Sequence, residues 1–119
     1  MTRTNDITVY YPTRAGHPEN TVGAYTVAGL SELLTKIREM FDKGSWVYKD
    51  DQYVHLEYDI KCFSDLGDTI MFYVSHTDDC DGHPYIEVQK YDIAMALMNS
   101  GITSSIGDFF TSQLKCEEF

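Results

Sequence analysis

Between Tyr53 and Phe63 the chain alternates without a break: Val54, Leu56, Tyr58, Ile60 and Cys62 are separated by His55, Glu57, Asp59 and Lys61. Side chains two apart project from the same side of an extended chain, so this spacing predicts a strand with one apolar and one charged face. Such a ribbon must cover its apolar face with a second layer and leave the charged one to solvent or a partner. Thr69 to His76 alternates again, with Ile70, Phe72 and Val74 against Met71 and Tyr73, and Tyr85 to Lys90 follows as a third strand. Residues 64–68 and 78–84 have turn composition, so a three-stranded antiparallel meander is expected.

Upstream, Ile7 to Tyr11 is β-branched and aromatic and ends at Pro12; Val22 to Val27 returns after a turn-forming stretch, which predicts a hairpin. Leu30, Leu33, Leu34, Ile37, Met40 and Phe41 are spaced by threes and fours, the signature of an amphipathic helix, with Ser31 as N-cap and Gly44 as the residue that stops it. Near the C-terminus Asp92 is placed to cap a short helix carrying Ile93, Ala96 and Leu97, stopped by Gly101. Ser105 with Asp108 forms a capping box before Phe109, Phe110 and Leu114. The order ββαβββαα predicts a single α+β domain over residues 1–119: a mainly antiparallel five-stranded sheet with helices packed on one face. A chain of 119 residues suits one core, since domains commonly run about 100–150 residues.

Nine tyrosines, six phenylalanines and one tryptophan supply that core, so the net charge of −10 is not the mark of a disordered polyanion. With nine basic residues against nineteen acidic ones there is no cationic surface to neutralise phosphates, which excludes direct nucleic-acid binding and docking on anionic membranes. No apolar run approaches the roughly 20 residues that span a bilayer, and the N-terminus lacks a secretory h-region; a cytoplasmic location is expected. The charge is also uneven. Residues 1–49 hold six basic and five acidic side chains, whereas residues 50–119 hold three lysines and fourteen acids, eleven of them within 50–92.

Cys62, Cys80 and Cys116 have neither the even number of a disulfide framework nor a CxxC spacing, which predicts reduced thiols. His76, Cys80 and His83 are the densest set of soft ligands, but they match no zinc pattern; Thr77 and Val88 stand where a calcium loop needs carboxylates. No metal and no cofactor is expected. No GxSxG, HExxH or P-loop is present, and the four histidines are scattered.

The expected surface therefore carries more information than any motif. His55, Glu57, Asp59 and Lys61 should lie beside Met71, Tyr73 and Ser75 and then Tyr85, Glu87 and Gln89, with aspartates at the strand ends. Tyrosines give rigid contact area, and a field of one sign steers an oppositely charged partner. The partner expected is a basic, nucleic-acid-binding protein, and the function a small non-enzymatic inhibitor whose carboxylates stand in for phosphates. Its contacts would be Glu57, Asp59, Tyr73, Asp78, Asp79, Asp81 and Glu87. In size and charge the chain is similar to the small acidic proteins with which phages and mobile elements block restriction or CRISPR nucleases, a likeness of composition with no shared motif. An immunity protein neutralising a cognate nuclease toxin is the alternative, and a small metal-dependent enzyme built on residues 76–83 the second. An open sheet face or edge strand would also serve homodimerisation.

Overall fold

In the computed structural model, which describes residues 6–12, 22–55, 60–75 and 85–119, Ile7–Pro12 (β1) and Val22–Val27 (β2) pair antiparallel, from Ile7 opposite Val27 to Pro12 opposite Val22. Tyr11 faces Gly23, and its ring lies 2.5 Å from where a β-carbon at 23 would stand. The glycine is thus covered by its cross-strand aromatic, which also packs on Tyr25 at 5.6 Å.

The helix α1 spans Leu30–Gly44 and buries Leu33, Leu34, Ile37, Met40 and Phe41, as its spacing predicts. Its ends differ from expectation. Gly29, not Ser31, is the N-cap and no side chain caps the first turn; Glu32, at the third helical position, reaches back to accept from the Ala28 N–H at 2.8 Å and ties the helix to the residue before its cap. At the other end Gly44 stays helical because Ser45 closes the last turn: its N–H and its hydroxyl both donate to the Phe41 carbonyl, at 3.2 and 3.1 Å. No left-handed glycine is needed there.

Trp46–Lys49 (β3) and Gln52–His55 (β4) form a two-stranded sheet of their own. The single strand expected from Tyr53 to Phe63 is therefore not formed. Its first residues pair with a strand the sequence reading did not anticipate, through a two-residue turn whose closure costs little chain entropy. The main sheet resumes with Ile60–Asp65 (β5), Thr69–Ser75 (β6) and Tyr85–Gln89 (β7), the antiparallel meander. In β5 the core-facing residue is Phe63, opposite Phe72, whereas Ile60 is 42% exposed.

β7 runs directly into the helix α2, Lys90–Asn99, with Gln89 at the N-cap position and no side-chain cap; Asp92 lies inside the first turn, where its Oδ2 accepts the Thr8 N–H at 3.2 Å and ties β1 to the helix. Gly101 follows the helix with φ 72°, the left-handed stop its position predicts. In the last helix, α3, Ile106–Leu114, Ser105 accepts from the Asp108 N–H at 3.1 Å, so the expected cap is present. Lys115 then takes a left-handed turn and Glu117–Glu118 (β8) pairs parallel with β5.

The sheet order is β2-β1-β7-β6-β5-β8, a mixed six-stranded sheet in place of the expected five antiparallel strands. The extra strand exists because Lys115 redirects the chain along the β5 edge, where the Phe119 N–H donates to the Phe63 carbonyl at 2.9 Å. The class is α+β. Three helices among the described residues close a single core with the sheet, in which Phe110 meets Phe72 edge-on at 4.8 Å.

Candidate interaction surface

The pleat assigns the side of the sheet opposite the core. Tyr10 in β1 stands opposite Glu87 in β7, Glu87 opposite Met71 in β6, and Met71 opposite Ser64 in β5. The next row runs Tyr85, Tyr73, Cys62. The expected register of Met71 and Tyr73 against Glu87 and Tyr85 is therefore present. The neighbours on β5 are different: Lys61 pairs with Val74 on the core side, and His55 stands opposite Trp46 in the small sheet. Glu57, Asp59, Asp78, Asp79 and Asp81 lie outside the described residues, as do His76, Cys80 and His83.

This face is held by its own hydrogen bonds. The hydroxyls of Tyr73 and Ser64 are 3.0 Å apart, and Thr69 donates to Glu87 at 2.9 Å. Glu87 is the one carboxylate on this side of β1, β5, β6 and β7 among the described residues, and Glu117 in β8 continues the Cys62 row at the edge, so what these four strands offer is mainly tyrosine, methionine and hydroxyl surface. Other acids are spent on the fold. The Lys90 ammonium donates to Asp65 at 2.6 Å and the Gly67 N–H donates to the other oxygen at 2.9 Å; together they hold this carboxyl below its ordinary range. That pair sits at the turn end of β6, about 20 Å from Ser75 by strand rise.

The opposite end of the sheet is where the acidic segments attach. Ile60 opens β5 and faces Ser75, which closes β6, and Tyr85 opens β7 facing Tyr73. The chain continues from these adjoining strand ends into residues 56–59 and 76–84, which carry Glu57, Asp59, Asp78, Asp79 and Asp81.

Sequence reasoning missed the small sheet. Its turn residues Asp50 and Asp51 are both left-handed, with φ of 53° and 64°, and both are exposed. A two-residue hairpin turn with two positive φ angles favours Asn-Gly, and a non-glycine residue in that region costs about 1 kcal/mol. Converting Asp50-Asp51 to Asn-Gly is expected to stabilise the hairpin by about 1 kcal/mol. Trp46, the single tryptophan, sits at its base against His55 at 5.0 Å and reports the change as a shift of its fluorescence transition to higher denaturant.

Beside Trp46 an open cleft of about 740 Å³ is lined by Asp42, His55, Ile60, Lys61, Lys115 and Glu117, among others. Its two carboxylates and two ammonium groups offset each other, so it is not part of the acidic field. Among the described residues no group of three His, Cys, Asp or Glu side chains is placed to hold a metal ion, and no helix is long and apolar enough to cross a membrane. Cys62 and Cys116 are buried free thiols, and burial raises both above their ordinary range, so neither is an activated nucleophile. Compared with protein-family models, with curated proteins and with solved structures, the chain matches none.

Proposed function

We propose that this chain is a small non-enzymatic inhibitor that binds a basic, nucleic-acid-binding protein, its carboxylates occupying positions that phosphates would take. The observation that carries the reading is the division of charge, with fourteen acids and three lysines after residue 49 against near balance before it. Solubility asks for net charge but not for its concentration in one part of the chain. The adjoining ends of β5, β6 and β7 support the same reading, because they bring the attachment points of the two acidic segments to one end of a tyrosine-bearing face. In this reading Glu57, Asp59, Asp78, Asp79 and Asp81 supply the charge, and Tyr73 and Glu87 supply contact from the sheet. Opposite charge accelerates encounter, while the aromatic area contributes to residence time.

The test is inhibition of nucleic-acid binding by a panel of basic nucleases and repressors, read at several salt concentrations. A target should be released from its nucleic acid by the acidic protein, with potency falling as salt rises. Reversing Glu57, Asp59, Asp78, Asp79 and Asp81 to lysine should weaken that inhibition at least a hundredfold, and Tyr73→Ala about tenfold. Inhibition that survives the five reversals, or binding that leaves the target's nucleic-acid site open, would refute the proposal.

A further inference from the structure

The two borders of the sheet are built differently. On one side β8 is two residues long, both glutamates, and its pairing covers only part of β5. On the other, β2 runs for six residues, Val22 to Val27, with neither a charge nor a proline, and no described strand lies beyond it. A long uncharged edge presents a row of backbone N–H and C=O groups, which proteins ordinarily blunt with lysine, proline, a bulge or a covering element. None of the first three is present in β2, whose ladder with β1 is continuous across all six residues. It also belongs to the part of the chain that is nearly neutral, so two copies meeting there do not bring the acidic halves together.

We infer that β2 is a self-association edge: two copies of this chain pair β2 against β2 antiparallel about a two-fold axis, joining their sheets into one. A strand pairing antiparallel with its own copy satisfies the two-fold symmetry that most homodimers use. A register centred on Tyr25 sets Ala24 of one copy opposite Thr26 of the other. Both side chains are exposed on the face away from the core, with Ala24 facing Tyr10 and Thr26 facing Thr8 inside each copy. The dimer carries both open faces on the same side of a continuous sheet, and because the two-fold axis reverses strand direction, the two acidic ends lie at opposite ends of it. This inference is independent of what that partner is.

Sedimentation equilibrium of the full chain, from micromolar to several hundred micromolar, tests it. The mass expected at the upper end is twice 13.6 kDa, and added salt should hold or strengthen the dimer by screening the mutual repulsion of two acidic chains, the reverse of its effect on a basic partner. The double variant Ala24→Lys, Thr26→Lys should be monomeric with an unchanged circular dichroism spectrum, since both positions face solvent. So should Ala24→Glu, Thr26→Glu, and mixing the two should restore a dimer, because lysine then faces glutamate across the axis. A wild-type chain that stays at 13.6 kDa throughout, a lysine variant that still dimerises, or a mixture that remains monomeric would each overturn the inference.

Discussion

Phe110→Ala is expected to destabilise the protein by about 3–5 kcal/mol, the range for removing a buried aromatic side chain. Phe110 is wholly buried, with its ring 4.8 Å from Phe72 and 73° to it, 6.2 Å from Phe63 and 5.2 Å from Phe109. It is the side chain through which α3 grips the middle of the sheet. Alanine would lose the transfer energy of the ring, leave a cavity between helix and strands, and forfeit aromatic pairs that contribute about 0.5–1.5 kcal/mol each beyond burial. Domains of this size are stable by about 5–15 kcal/mol, so the loss is a large fraction of the whole. Thermal denaturation should show a fall in Tm of roughly 10–20 °C. Phe119→Ala is the control: that ring is 64% exposed, and its removal should cost within about 0.5 kcal/mol. Equal effects of the two variants would mean that α3 does not close the core.

The second large effect concerns Cys116. It is 3% exposed, and its thiol faces the Phe110 carbonyl at 3.6 Å. Burial, with a smaller contribution from the neighbouring Cys62, pushes the thiol from its ordinary 9.0 up to about 11. The thiolate is the reactive form, so at pH 8 iodoacetamide should label Cys116 in the folded protein on the order of a hundredfold more slowly than in the urea-unfolded chain. Mass spectrometry of the labelled peptides reads the difference directly. The same shift has a consequence for stability. The folded state keeps the proton up to about pH 11 while the unfolded chain releases it near 9. Stability from this group is therefore complete below about pH 9 and declines as the pH rises through 11. Cys116→Ala should make the alkaline decline shallower. Rapid native labelling at pH 8, or an unchanged alkaline profile in the variant, would contradict the burial of this thiol.

The parts of the fold that were legible are those in which a local period and a local stop coincide. Leu33, Leu34, Ile37, Met40 and Phe41 recur at helical spacing and are buried on one side of α1; Ile70, Phe72 and Val74 alternate and are buried from one side of β6. Ser105 and Gly101 act through hydrogen bonds within a few residues, and both act as their positions predict. What failed was phase and partnership. The alternation from Val54 to Cys62 is as regular as any in the chain, yet Val54 belongs to one sheet and Cys62 to another. Alternation specifies that a segment is extended and says nothing of which strand it will pair with. Asp92 has the chemistry of an N-cap, but the turn formed by residues 66–69 brings Asp68 within reach of the Lys90 N–H, and the helix starts earlier.

The interaction surface divides in the same way. Tyr73 and Glu87 were legible as one face because a single antiparallel register links them through Tyr85 and Met71. Asp65 is among the aspartates that the sequence places at a strand end, but Lys90 pairs with it, across 25 positions of the chain. Trp46 and the Asp50-Asp51 turn carry no strong sequence period, since a four-residue strand is too short to establish one.

By itself the sequence determined that this chain folds into an α+β domain around aromatic and aliphatic side chains, and that its negative charge lies after residue 49. Those are properties of period and composition, which need no knowledge of which segments meet. The tertiary structure decided the order β2-β1-β7-β6-β5-β8, and with it which carboxylates are tied to the fold and which strand is left as an open edge. Strand order rests on pairings between residues far apart in the chain, such as Val9 with Val88, whose free energy appears only when the whole core closes.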